Sequence, residues 1–389
     1  MNILFIAHER NMGGASKSLV TLASELRDRG HSVYVVLPMW VGSVRKELKK
    51  RDLKYKCIFF GWWMQPIEWG FIPKLLWKTV YKLSFIPEKR IERYAGKVNA
   101  QIIHSNSSAI DIGARCADRL GIPHVWHVRE FGDKDYRLEY MKGRKASVSY
   151  MEKIKGRVVF ISNNLRNYYD DLSNEKARVI YNGVSENYLL NKYVENPVDN
   201  GDNHKEQVTF LVSGNMQRTK RQDLILQAAD ILNDRGYDKF RLIIAGGTSA
   251  RRDSEIYADE LRKLSKHLKN EVVFTGFVNN IEDYRKEADA EIVPSSREAF
   301  GRVSVEAMMA SNPVIASRSG ANPEIVEDGV TGLLFEEGNP HELADKMELF
   351  IKDRELIAKM GRNAYETALS RFPSKINTSN IEKLYGELL

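Results

Sequence analysis

Cysteine is nearly missing: 389 residues contain only Cys57 and Cys116. Two thiols make no disulfide framework, so a reducing compartment is expected. No Cys or His cluster has metal-ligand spacing, and no metal is expected. No uninterrupted apolar run reaches the ~20 residues that cross a bilayer. A basic leader is also lacking ahead of Asn2-Ile-Leu-Phe-Ile-Ala7; charge follows, and we read the run as a first strand. No nucleic-acid-binding module is recognisable, so nucleic acid is not an expected partner of this basic chain.

What is present is a globular composition, 43% hydrophobic and 29% charged, with a formal charge of +7. The length implies two or three domains. Short apolar runs alternate with helical periodicity, the pattern of an α/β fold with parallel sheets. The excess of cations suits diphosphate ligands or anionic lipid.

The chain is organised around Pro294-Ser-Ser-Arg-Glu298-Ala-Phe300-Gly301-Arg302-Val303-Ser-Val-Glu306. Ala290–Val293 reads as a buried strand, and a helix is expected over roughly Gly301–Ala310. Glu298 falls in the turn and Glu306 one to two turns into the helix. The N–H groups of Phe300, Gly301, Arg302 and Val303 belong to a first helical turn and have no intrahelical partner. Those amides and the helix dipole make a phosphate site with a carboxylate on either side. Spacing alone fits equally a helix-start charge and a solvated helix residue.

The wider string, from Glu298-Ala-Phe-Gly-Arg-Val-Ser-Val-Glu-Ala-Met-Met-Ala-Ser-Asn-Pro-Val-Ile-Ala-Ser317 through Gly320, Glu324 and Thr331-Gly-Leu-Leu334, closely resembles the donor-site segment of glycosyltransferase family 4. The resemblance is strong over 208–336, moderate over 1–36 and 123–184, and hardly present over 40–95. It implies a GT-B fold: two Rossmann-like domains facing across a cleft, with a last helix crossing back to the first domain. We place the first domain at 1–190 with 373–389, a polar linker at 191–206, and the second domain at 207–372.

The resemblance also implies roles. The enzyme would be retaining and metal-independent, with no cofactor and a UDP-sugar or GDP-sugar as donor. Glu298 would hold the transferred sugar, Glu306 the ribose, and the backbone at Phe277 and Val278 the base. His127, in His124-Val-Trp-His-Val-Arg129-Glu, would face the sugar or the acceptor, with Arg129 beside it. Lys220 would meet the diphosphate. Asn215 stands where the family carries arginine, and we expect Arg218 to replace that charge. The Gly13-Gly14 loop would face donor phosphate and acceptor; by residue type alone, a loop needing positive φ fits as well. A sugar-nucleotide epimerase and a non-catalytic GT-B subunit remain as other readings.

Residues 57–94 break the α/β rhythm with four tryptophans, and Lys74, Lys78 and Lys82 recur every fourth residue beside Trp77. Aromatic plus basic is the profile of an interfacial membrane segment. We expect peripheral contact with the inner face of the plasma membrane, from the cytoplasm, and a lipid-linked or glycan acceptor. Burial of those tryptophans in an insertion is the other reading.

Overall fold

A computed structural model describes residues 1–190, 192, 207–248 and 252–389. The linker expected at 191–206 lies outside the described residues except for Lys192. The chain forms two compact units: Met1–Gly183 with Ser374–Leu389, and Val184–Pro373. Residues 184–190, which we had assigned to the first domain, thus group with the second unit.

The first unit contains β1 (Asn2–Ile6), β2 (Ser32–Leu37), β3 (Lys54–Cys57), β4 (Met64–Pro66), β5 (Ile102–Ser105), β6 (His124–Val128), β7 (Leu138–Tyr140), β8 (Gly156–Phe160) and β9 (Ala177–Val179). Seven of them form one parallel sheet in the order β3-β2-β1-β5-β6-β8-β9. All residues of β5 and β6 are buried, as expected where helices cover both faces of a parallel sheet. The helix Gly14–Asp28 buries Leu19, Leu22, Ala23 and Leu26, the face its spacing predicts. The last helix, Ser374–Gly386, packs on it: Thr378 Oγ1 donates to Glu25 Oε2 at 2.6 Å, and Arg29 pairs with Glu382 at 2.8 Å.

The second unit contains β10 (Val208–Ser213), β11 (Phe240–Ala245), β12 (Glu271–Gly276), β13 (Ala290–Val293), β14 (Val314–Ser317) and β15 (Gly332–Phe335), parallel in the order β12-β11-β10-β13-β14-β15. In each unit the strand order reverses once, between β1 and β5 and between β10 and β13. The carboxyl ends of the two strands at such a reversal are where ligands of doubly wound sheets bind.

The aromatic segment corrects one expectation. In the helix Phe71–Lys82 the indole N–H of Trp77 donates to the carbonyls of Trp62 and Met64, both at 3.2 Å, so Trp77 faces the protein. Lys74 is tied to Glu139 at 2.6 Å, while Lys78 and Lys82 are exposed. The outward face is instead apolar: Phe71 (80% exposed), Ile72 (69%), Leu75 and Leu76, continued by Leu83, Phe85 and Ile86. A four-residue repeat defines a stripe but not which side of the helix is covered.

Candidate active site

The site of the second unit lies at its strand-order reversal. β10 runs into Gly214 and a short 3-10 turn, Arg218–Lys220; β13 runs into Pro294 and the helix Arg302–Met309. The two loops are sewn together, because the Ser296 N–H donates to the Thr219 carbonyl at 3.0 Å. The third partner is the turn after β14. The Ala321 N–H donates to the Glu298 carbonyl at 2.8 Å, and Ser319 Oγ donates to the Ser296 carbonyl. Gly320 has φ +58°, and a Cβ there would stand 2.3 Å from the Glu298 carbonyl oxygen. Glycine at 320 is therefore what lets that turn support the backbone of Glu298.

So held, Glu298 accepts from Lys220 Nζ at 2.5 Å. The pair is half-buried, with side chains 13% and 30% exposed, so a ligand can reach both. Gly301, in the left-handed region at φ +84°, caps the helix, which starts one residue later than expected. The amides of Arg302 and Val303 make no hydrogen bond among the described residues. Phe300 itself is buried.

Glu306 is paired through both oxygens, with Arg302 at 2.7 Å and Arg285 at 3.0 Å. Arg285 also reaches Glu291 at 2.9 Å, and Ser213 Oγ donates to the same carboxylate. Burial opposes the Arg285 charge, but the Glu291 and Glu306 carboxylates outweigh it and hold its pKa above the ordinary value. Sequence reading missed this hub. Arg285 sits in a charged stretch that reads as a solvated helix, although Glu291 alone in the apolar strand Ala290–Val293 is a signal that a buried cation must follow.

One other expectation changes. Arg218 pairs with Glu260 at 2.9 Å and Asp253 at 3.3 Å, with its guanidinium 5.2 Å from the Tyr257 ring centre. Of the two expected cations, only Lys220 contacts Glu298, because two carboxylates of the helix Arg252–Ser265 claim Arg218. Asn215 is exposed, and its carbonyl accepts from Gln222 at 3.1 Å. Phe277 is 74% exposed just beyond β12, while Val278 packs on the core.

The reversal in the first unit carries imidazoles. His104 and His127 are the penultimate residues of β5 and β6, both fully buried, with rings 5.3 Å apart. His127 Nδ1 lies 3.2 Å from His104 Nε2 and 3.1 Å from Arg129 Nη2. Arg129 is itself fixed by Asn106 at 2.8 Å and by Asn182. Burial first, then the Arg129 charge, holds both histidines well below the usual pKa, so they are neutral. Glu130 Oε1 accepts from Ser107 and Ser108, each at 2.7 Å. Gly13 is extended and Gly14 opens the helix, so neither needs positive φ; a Cβ on Gly14 would meet nothing within 4 Å.

Two parallel doubly wound units, each with polar groups at its strand-order reversal, are the architecture of the GT-B fold. Residues 12–188 match the model "Glycosyltransferase Family 4", and residues 196–367 match "Glycosyl transferases group 1". Together the two matches span most of the chain, a glycosyltransferase with a family 4 segment followed by a group 1 segment. It is 28% identical over 277 residues to an uncharacterized glycosyltransferase of Methanocaldococcus jannaschii, 71% of this chain and 72% of that one. It is 26% identical over 274 residues to the capsular polysaccharide biosynthesis glycosyltransferase CapM of Staphylococcus aureus, 67% of this chain and 71% of CapM. Among solved structures, Anabaena HepE in complex with UDP superposes with TM-score 0.81 at 23% identity, over 99% of this chain and 100% of HepE.

Proposed function

We propose that this chain transfers a sugar, with retention of configuration and without a metal, from a UDP-sugar or GDP-sugar to a lipid-linked or glycan acceptor. The carrying observation is the Lys220–Glu298 pair at the β10/β13 reversal, beside the unpaired amides of Arg302 and Val303. Lys220 and those amides stabilise the charge that develops on the departing diphosphate. Glu298, released from Lys220 as the diphosphate takes its place, holds hydroxyls of the transferred sugar. Glu306, in the second turn of the same helix, holds the ribose hydroxyls. The exposed ring of Phe277 lies beside the backbone assigned to the base.

Several facts support this reading. HepE is described in complexes with UDP and with UDP-glucose, and CapM by its role in capsular polysaccharide biosynthesis. No side chain is assigned as nucleophile; the acceptor oxygen attacks from the face the diphosphate leaves. Incubation with radiolabelled UDP- and GDP-sugars, with and without bacterial lipid extract, is the test. Label moving into lipid or glycan only when acceptor is present is expected. Conversion of donor without acceptor would make the chain an epimerase, and no turnover with any donor would make it a partner subunit.

The acceptor's source is assigned to the membrane surface. The apolar face Phe71–Ile72–Leu75–Leu76 stands beside exposed Lys78, Lys82, Lys89 and Arg90, which complement anionic headgroups. Among the described residues no helix is long and apolar enough to cross a bilayer. In flotation with anionic vesicles, replacing those four apolar residues by serine should weaken binding at least about tenfold. Equal flotation of variant and wild type would remove the assignment.

A further inference from the structure

The imidazole cluster of the first unit can be assigned proton by proton. A guanidinium only donates. Arg129 Nη2 lies 3.1 Å from His127 Nδ1, so Nδ1 accepts and the single proton of this neutral ring sits on Nε2. His104 Nε2 lies 3.2 Å from the same Nδ1. Two lone pairs cannot face each other there, so His104 Nε2 carries its ring's proton. His104 Nδ1 is left as an acceptor, and the Tyr385 hydroxyl, 2.6 Å away, donates to it. Reversing the Tyr385 bond would put the His104 proton on Nδ1 and set two acceptors face to face. The order Tyr385 O–H to His104 Nδ1, then His104 Nε2–H to His127 Nδ1, is the one arrangement that satisfies every contact. One polar atom remains: His127 Nε2 is buried and has no partner among the described residues.

We infer that Tyr385, on the C-terminal helix, is a positioning residue that acts through His104 to present His127 Nε2–H as a fixed hydrogen-bond donor to a ligand oxygen. The ligand class is a hydroxyl or phosphate oxygen, and its identity as part of the donor or acceptor rests on the glycosyl-transfer reading above. The proton assignment does not. His127 in this role binds and orients; with Nδ1 engaged by two donors, it cannot serve as a base.

Two measurements test the inference. In protein labelled with 15N-histidine, long-range proton–nitrogen correlations at neutral pH should show His104 and His127 both as Nε2–H tautomers. An Nδ1–H tautomer or an imidazolium at either would overturn the inference, whether or not the protein turns over sugar. In kinetics, Tyr385→Phe should lower kcat about five- to tenfold, the effect of one hydrogen bond to a buried group. That factor should vanish in a His127→Ala background, because the two residues act as one unit. The same loss in both backgrounds would make Tyr385 merely structural. Should Tyr385→Phe not fold, the tautomers of the wild type still decide. Absent activity with the expected tautomers would sink the transfer reading and leave the proton chain standing.

Discussion

The two units share one sheet topology and place polar groups at the same point of it, yet solve the burial problem in opposite ways. The first keeps its buried titratable rings neutral: His104 and His127 are uncharged and share one buried arginine. The second keeps its groups charged: Arg285 is clamped between Glu291 and Glu306, and Lys220 meets Glu298. A parallel doubly wound sheet thus fixes where a ligand binds, while the residues at the reversal fix its charge. Neutral donors and acceptors suit hydroxyls; a cation with free amides suits a diphosphate.

The comparison breaks most readily at Arg285. Arg285→Met leaves the Glu291 and Glu306 carboxylates buried without their shared cation, at a cost of about 3–5 kcal/mol. Thermal unfolding followed by circular dichroism should fall by on the order of 10 °C. A change under about 2 °C would mean that the second unit does not depend on buried charge.

A smaller effect sharpens the other side. Burial, with a lesser push from Lys176, lowers the His124 pKa to about 3. Because the folded pKa lies below the unfolded value of about 6.5, the unfolded chain binds the extra proton between the two. Stability from this residue is therefore full above about pH 6.5 and is lost as pH falls toward about 3, at about 1.4 kcal/mol per pH unit. Asp111, raised to about 7 mainly by burial, acts with the opposite sign and offsets the total, so the single-site difference is the informative quantity. His124→Gln should flatten the stability slope below pH 6.5 by about that amount. All six tryptophans lie in the first unit, so their fluorescence in urea titrations at pH 7, 6 and 5 reports it alone. An unchanged slope would mean that His124 is charged or exposed.

The donor-side turn was legible in the residue string because Glu298, Gly301 and Glu306 sit in one local strand–turn–helix segment, where periodicity and backbone rules act over short range. Strand β13, the helix after it and the glycine at 320 follow from the same string. Partners distant in sequence were not legible. Tyr385 and His104 are 281 residues apart and meet only because the last helix returns to the first unit. Arg218 and Lys220 look interchangeable in sequence, yet a single 3-10 turn sends one to Glu260 and the other to Glu298. The stripe Lys74-Lys78-Lys82 was read correctly as periodic, but Lys74 is tied to Glu139 and the apolar neighbours Phe71 and Ile72 are exposed beside Lys78 and Lys82.

The central claim is that the β10/β13 reversal grips a diphosphate through Lys220. Calorimetric titration of wild type and Lys220→Ala with UDP, GDP and the matching nucleosides tests it most directly. The variant should bind the preferred diphosphate at least about tenfold more weakly while its affinity for the nucleoside is unchanged. Equal diphosphate affinity in the two proteins would contradict the account.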